Sequence, residues 1–127
     1  MAISTLPQRP ALDLDDERTS VLLVAAAHRL TDLGRHLPPQ WLVIRREALA
    51  ADGRDPDIVV LDDPAARTVS AACMRHPTSA IVAVLGPYSD HQRVVDVLEA
   101  GADACVRSAT AAVIAAHLEA CQRRQAA

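Results

Sequence analysis

The stretch Asp57-Ile58-Val59-Val60-Leu61-Asp62-Asp63-Pro64 indicates a strand that is buried on both faces. Its four consecutive aliphatic residues lack polar alternation, and such runs are typical of the centre of a parallel sheet. Asp63 belongs to the residue types that cap helix starts, and Pro64 suits a first helical turn, so we expect a helix to begin there. Asp62 is therefore predicted to lie at the carboxyl end of a core strand, where open α/β sheets place their ligands.

The same kind of apolar run predicts four further strands, which alternate with helices along the chain. The strands are expected at residues 20–27, 41–44, 79–85 and 103–107. Helices are expected over 28–37, 64–75, 90–100 and 109–123, with only a helical stub over 47–51. Ser89 and Gln92 are spaced as a capping box, and Gly101 is expected to end the helix that follows them. This order predicts helices packed on both faces of a parallel sheet.

Composition and length limit the class of protein. With 127 residues, half of them hydrophobic, the chain suits one domain, which we place at 19–124 between a flexible arm at 1–18 and a tail at 125–127. A formal charge of -3 gives no general reason to bind nucleic acid or a membrane surface. No long apolar run or secretory signal is present, so a cytoplasmic protein is expected. Cys73, Cys105 and Cys121 are predicted to be reduced and buried.

Three segments make residues 20–124 resemble the receiver domain of bacterial two-component response regulators. Residues 57–62 are similar to the strand that ends in the phosphoacceptor aspartate, 81–90 to the fourth strand and its loop, and 98–103 to the turn before the fifth strand. The resemblance implies a flavodoxin-like α/β fold with a parallel five-stranded sheet of order 2-1-3-4-5 and, here, a shortened second helix.

The resemblance also identifies positions at which this sequence departs from the family. Ala25 and Ala26 stand where receivers carry the metal-binding acidic pair. Gly86 replaces the hydroxyl residue that holds a phosphoryl oxygen, and Ser108 replaces the lysine that pairs with phosphate. Among these positions only Asp62, the phosphoacceptor, is kept, and we interpret it as vestigial.

These departures argue against phosphate chemistry, because phosphoryl transfer depends on positioning and on charge neutralisation. Mg²⁺ needs more than one carboxylate or substrate oxygen, and Asp63 is already assigned as a helix cap, so neither a metal nor another cofactor is expected. Arg107 is predicted to point away from the pocket, His28 to lie on the surface and Tyr88 to be partly buried. A divalent ion or basic side chain in bonding distance of Asp62 would overturn this interpretation.

The resulting hypothesis is a pseudo-receiver, a non-enzymatic interaction module in signal transduction or transcriptional regulation that works without phosphorylation. Receivers commonly pair through the fourth helix, fifth strand and fifth helix, which implies a homodimer through mixed charges on that face. The candidate interface residues are Arg93, Asp96, Glu99, Arg107 and Glu119. Ordinary solvated charges are the alternative explanation of this pattern. Two other functions stay open, a small-ligand-binding α/β domain and a receiver still phosphorylated on Asp62.

Overall fold

The computed structural model describes residues 18–49 and 55–126, which contain five strands, three α-helices and a 3-10 turn. The strands are β1 (Ser20–Val24), β2 (Leu42–Arg46), β3 (Ile58–Asp62), β4 (Ala80–Leu85) and β5 (Ala104–Arg107). The helices are η1 (Leu33–His36, a 3-10 turn), α1 (Ala66–Arg75), α2 (His91–Glu99) and α3 (Ala111–Ala126).

The five strands form one parallel sheet in the order β2-β1-β3-β4-β5. This confirms the predicted α/β architecture and strand order. In the register, Val24 lies beside Leu61, and Asp62 lies beside Val84. The carboxyl ends of the central strands therefore meet at one edge, with Asp62 in the middle of it.

Each face of the sheet has its own apolar core, as the uninterrupted aliphatic run of β3 requires. Ile58 and Val60 pack on the face that α3 covers, whereas Val59 and Leu61 pack on the face that α1 and α2 cover. All four side chains are at most 1% exposed. Burying each contributes about 1.5–3 kcal/mol, so the strand that carries Asp62 is firmly anchored.

The helix predicted over residues 28–37 is wrong. The segment consists of turns and the single 3-10 turn η1, and its backbone bonds join residues three apart, such as Leu33 N–H to the Leu30 carbonyl at 3.3 Å. Leu33 and Leu37 are nevertheless buried against the core beneath α3. The apolar spacing thus identified the buried side chains but not the backbone, because 3-10 turns also bring residues three apart onto one face.

The connection between β2 and β3 is only partly described. Residues 47–49 form a bend without helix, and residues 50–54 lie outside the described ranges, as do 1–17 and 127. The predicted arm and the end of the predicted tail therefore remain predictions. Helix α3 runs to Ala126, three residues beyond its predicted end. No helix in the described ranges has the length and apolar character needed to cross a membrane.

Two helix starts differ from the prediction. Helix α1 begins at Ala66, with Ala65 as an N-cap that makes no side-chain bond, so Asp63 is not its cap. Helix α2 is capped by Asp90, whose Oδ1 accepts from the backbone N–H of Arg93 at 3.1 Å. The predicted terminator is confirmed, since Gly101 follows the helix with a φ of +122°.

Candidate functional site

The predicted pocket positions partly converge at the carboxyl edge of the sheet. A cavity of 480 Å³ is lined there by Ala26, Asp62, Asp63 and Gly86, together with Arg29 and Ser89. Ala25 is buried and instead lines a neighbouring open groove of 580 Å³ that extends from Asp62 along α1. The structure thus brings the candidate acceptor and the substituted positions around it to one place.

The Asp62 carboxylate does not stand alone. Arg29 donates from Nε to Asp62 Oδ2 at 2.9 Å and from Nη2 to Asp62 Oδ1 at 3.1 Å, so its guanidinium grips both oxygens. The Asp62 side chain is 8% exposed and that of Arg29 46% exposed, which places the pair at the pocket mouth. The expectation that Asp62 lacks cationic support is therefore wrong. A basic side chain thus lies in bonding distance of Asp62, which is the condition stated above for overturning the vestigial interpretation. A missing counter-charge therefore cannot be the reason why Asp62 would fail to hold a phosphoryl group.

The pair also governs the charge of the guanidinium. Its hydrogen bonds to Asp62, and then the negative charge of that carboxylate, raise the pKa of Arg29 above its ordinary value. A cation whose pKa rises on folding contributes stability that is fully present below its unfolded pKa and is lost only as pH rises through the folded pKa. Arginine already keeps its charge far above neutral pH, so Arg29 stays charged throughout the working range of pH.

Asp63 has a different role from the helix cap predicted for it. Its backbone N–H donates to the Val84 carbonyl at 2.7 Å, and its φ of +48° then turns the chain toward α1. Its carboxylate lies 2.6 Å from Nη2 of Arg93, which also donates from Nη1 to the Pro64 carbonyl at 3.1 Å. A left-handed φ at a residue other than glycine costs about 1–3 kcal/mol, and this ionic bond helps to offset that cost.

The electrostatics of the edge are those of two matched ion pairs. Asp62 is neutralised by Arg29 and Asp63 by Arg93, each through a direct contact. Mg²⁺ bound at this edge would have to compete with a guanidinium for each carboxylate. Within residues 18–49 and 55–126, no group of three or more histidine, cysteine or acidic side chains is arranged to hold a metal ion.

The remaining residues considered for the pocket take no part in the Arg29–Asp62 ion pair. Ser108 uses its Oγ to accept from the backbone N–H of Thr110 at 3.0 Å, so it caps the turn before α3. Arg107 donates from Nη1 to the Ser89 carbonyl at 3.0 Å. His28 is exposed, as predicted. Tyr88 is 98% exposed, so its predicted partial burial is wrong.

Arg29 is the residue that the sequence reasoning missed. It falls within the first helix predicted over residues 28–37, which does not form, and no role was predicted for its side chain. One signal could have identified it: an acid placed at the buried end of a core strand needs a cation, since burial of an unpaired charge is costly. Arg29 follows the end of the neighbouring strand by five residues.

The candidate interface combines intramolecular contacts with exposed apolar side chains. Arg93 and Arg107 are held within the chain, and Asp96 accepts from Gln92 at 2.9 Å. Glu99 is exposed and Glu119 is half-buried. Helices α2 and α3 also carry three large apolar side chains that are each about two fifths exposed, namely Val95, Leu98 and Val113.

Comparisons with known proteins link this geometry to one fold. No protein-family model matches the chain, and no curated protein matches it. The solved response regulator DrrB of Thermotoga maritima, an OmpR/PhoB homologue, is similar with a TM-score of 0.72 and 18% identity over 85% of this chain and 54% of that chain. HP1043, an orphan response regulator of H. pylori, is similar with a TM-score of 0.64 and 20% identity over 81% of this chain and 97% of that one.

The receiver domain of ChxR from Chlamydia trachomatis is also similar, with a TM-score of 0.61 and 17% identity over 84% of this chain and 98% of that domain. Structural similarity of this extent, at identities of 20% or less, shows the fold alone and leaves the function to be argued from the residues of this chain. Asp62 at the end of the third strand is where the resemblance predicted the acceptor, and the strand order agrees with the resemblance throughout. The chain therefore has the fold of response-regulator receiver domains.

Proposed function

We propose that this domain is a pseudo-receiver, an interaction module that works without phosphorylation of Asp62 and pairs with a second copy through α2, β5 and α3. The observation that carries the first half is the two-point contact of Arg29 with both carboxylate oxygens of Asp62. An acyl phosphate forms when one of these oxygens attacks phosphorus. In this domain the guanidinium binds both oxygens, which lowers the nucleophilicity of each, and bidentate pairs of this kind are among the stronger hydrogen-bonded contacts in proteins.

The substituted positions support the same proposal. Transfer from a phosphoryl donor depends on positioned cations, usually metal ions that bridge the phosphoryl oxygens. Ala25 and Ala26 offer no carboxylate for such an ion, and Asp63 already binds Arg93. Ser108 is engaged in a turn and supplies no positive charge. The reason for inertness is thus a site already filled by its own counter-ion, in place of the bare carboxylate that the sequence suggested.

The second half of the proposal rests on the surface of α2 and α3. Exposed Leu98 and Val113 provide apolar area, and Glu99 and Arg123 provide charges of both signs. In a two-fold interface the same patch lies on both subunits, so acids on one copy can meet bases on the other. Arg93 contributes less to such pairing, because its guanidinium is bound to Asp63 and to the Pro64 carbonyl.

A second candidate is a receiver that is still phosphorylated on Asp62, and Arg29 itself favours it. A guanidinium beside the acceptor could bind the oxygens of a transferred phosphoryl group in place of the lysine that is replaced by Ser108. In this case Arg29 would first have to release one oxygen of Asp62. The two candidates therefore assign opposite effects to the same side chain, since Arg29 blocks transfer in the first and supports it in the second.

Intact-mass measurement after treatment with acetyl phosphate and Mg²⁺ separates the two candidates. The pseudo-receiver predicts no gain of a phosphoryl mass by the parent protein. Labelling of the parent protein that is lost in Asp62→Asn and reduced in Arg29→Ala would establish the second candidate and overturn the first. Labelling that appears only in Arg29→Ala would show directly that the guanidinium is the block.

Light scattering over a wide range of protein concentration tests the pairing. The dimer should weaken in Leu98→Glu or Val113→Glu, because each places a charge on the proposed interface. Met74→Glu is the matched control, since Met74 is an 83% exposed apolar residue on α1. A protein that is monomeric at every concentration, or a dimer that Met74→Glu weakens as much as Leu98→Glu does, would contradict the proposed interface.

The small-ligand alternative stays a prediction. The groove of 580 Å³ beside Ala25 and Ala26 gives it room, but the polar groups at its Asp62 end are already paired.

A further inference from the structure

We propose that Arg45, on the edge strand β2, is the positioning residue that holds Arg29 against Asp62. The inference rests on the proposed function in one respect, since it concerns the ion pair that keeps Asp62 from reacting. It goes beyond that proposal by assigning a role to a residue that does not touch Asp62 and that no sequence pattern indicated.

The segment that carries Arg29 does not hold itself in place. Arg29 lies in a turn closed by its own N–H, which donates to the Ala26 carbonyl at 2.9 Å. The next residue, Leu30, has a φ of +53°, a left-handed conformation that side-chain-bearing residues seldom adopt. A long side chain on such a turn keeps much rotamer freedom, so a two-point contact with Asp62 requires the turn to be fixed from outside.

Arg45 supplies that external support. Its Nη1 donates to the Ala26 carbonyl at 3.1 Å, and its Nη2 donates to the carbonyls of Arg29 at 2.7 Å and of Leu30 at 2.9 Å. One guanidinium thus binds three carbonyls of the turn, including that of Arg29 itself. Carbonyl oxygens that bond to a charged donor are held more firmly than those that bond to neutral donors.

The sheet directs Arg45 toward this turn. Arg45 lies beside Leu23 in the β1–β2 register, and Val43, two residues earlier, packs with the core under α3. Side chains two apart on a strand share a face, so Arg45 projects to the same side as the turn. The three carbonyls are reached from two nitrogens of a planar fork, which a lysine ammonium on a single nitrogen cannot reproduce.

The test follows the Nε–H of Arg29, the group that donates to Asp62. In protein labelled with nitrogen-15, its exchange with solvent reports whether the contact is formed, and Arg29→Lys identifies the signal. We expect Arg45→Ala to speed this exchange about tenfold while the backbone amide spectrum stays that of a folded protein. Arg45→Lys should fall between Arg45→Ala and the parent protein, because it keeps the charge but loses the fork.

The matched control is Arg35→Ala, which removes an exposed arginine of η1 that is outside these contacts. It should leave the Arg29 signal unchanged. Unchanged exchange in a folded Arg45→Ala protein would overturn the proposal. If Arg45→Ala does not fold, Arg45→Lys decides alone, and parent-like exchange there would overturn it as well. The assay contains no phosphoryl donor, so a failure here is distinct from the appearance of a phosphoryl mass on Asp62.

Discussion

Replacement of Arg29 by alanine tests the ion pair on which the proposed function depends. It removes two charge-assisted bonds and leaves an aspartate whose side chain is only 8% exposed without a partner. An orphaned buried polar group costs about 1–3 kcal/mol, and more when it is fully buried and charged. Because Arg29 is 46% exposed, water enters the space that it leaves and limits the cost. We therefore expect a loss of about 1–2 kcal/mol in the free energy of unfolding.

Urea unfolding provides the assay, and the single tryptophan, Trp41, provides the signal. Trp41 is half-buried and packs against the core beneath α3, so its fluorescence should change when that core opens. The midpoint should fall with an unchanged slope, since the mutation alters stability and leaves the surface exposed on unfolding the same. In a double-mutant cycle with Asp62→Asn, the two losses should combine to less than their sum, with a coupling of about 1 kcal/mol.

Two results would refute the reasoning. One is an Arg29→Ala protein no less stable than Arg35→Ala, the control for loss of an exposed arginine on the same segment. The other is a cycle in which the two losses simply add. Either would show that the guanidinium does not bind Asp62 in solution and therefore does not block the acceptor.

Three further predictions concern other parts of the fold. Gly101→Ala should lower the free energy of unfolding by more than about 1 kcal/mol, since φ is +122° there and the new Cβ would lie 2.6 Å from Cys73 Sγ. Adding Cys73→Ala should restore only the part of this loss that comes from the steric clash, and thermal unfolding of the single and double variants can show it. Asp90→Ala should lower the free energy of unfolding by about 1 kcal/mol because the α2 cap is lost, and Asp90→Asn should lower it much less. Equal losses for the two variants in urea unfolding would contradict the role of Asp90 as the cap. Burial raises the pKa of the Cys73, Cys105 and Cys121 thiols, so stability should be full below the unfolded thiol pKa of about 8.5 and fall at higher pH. A urea midpoint that stays constant from neutral to alkaline pH would contradict this prediction.

The strands could be predicted because their signal is local. Uninterrupted runs such as Ile58 to Leu61 can be satisfied only between two covered faces, and alternation with helices then predicts that the strands are parallel, whereas their order 2-1-3-4-5 was implied by the resemblance. The position of Asp62 at the carboxyl edge follows from the same run. These inferences use the identity of neighbouring residues alone, and the structure bears them out.

The contacts of the site could not be predicted, because they depend on backbone conformations that tertiary packing selects. The spacing of Leu30, Leu33 and Leu37 fits a helix, but turns satisfy it equally well. These turns place Arg29 within hydrogen-bonding distance of Asp62, a contact that the predicted helix did not suggest. Asp63 is a favourable helix cap by residue type, yet its strand-like bond to Val84 and its pairing with Arg93 take precedence. Contacts between residues about 30 positions apart in the chain, such as these two ion pairs, cannot be recognised from the local sequence pattern.

The replacement of a first helix by turns has a consequence for how the domain opens. Between Ala25 and Trp41, several of the described backbone bonds join residues only three apart, such as those of Arg35 to Asp32 and Leu37 to Gly34, so breaking one does little to its neighbours. A helix of the same length would resist as a cooperative unit. This segment should therefore exchange its amide hydrogens through brief local excursions while the strands stay closed. The counter-ion of Asp62 therefore lies on a segment that we expect to open locally, once its bonds to Arg45 are broken, while the rest of the domain stays folded.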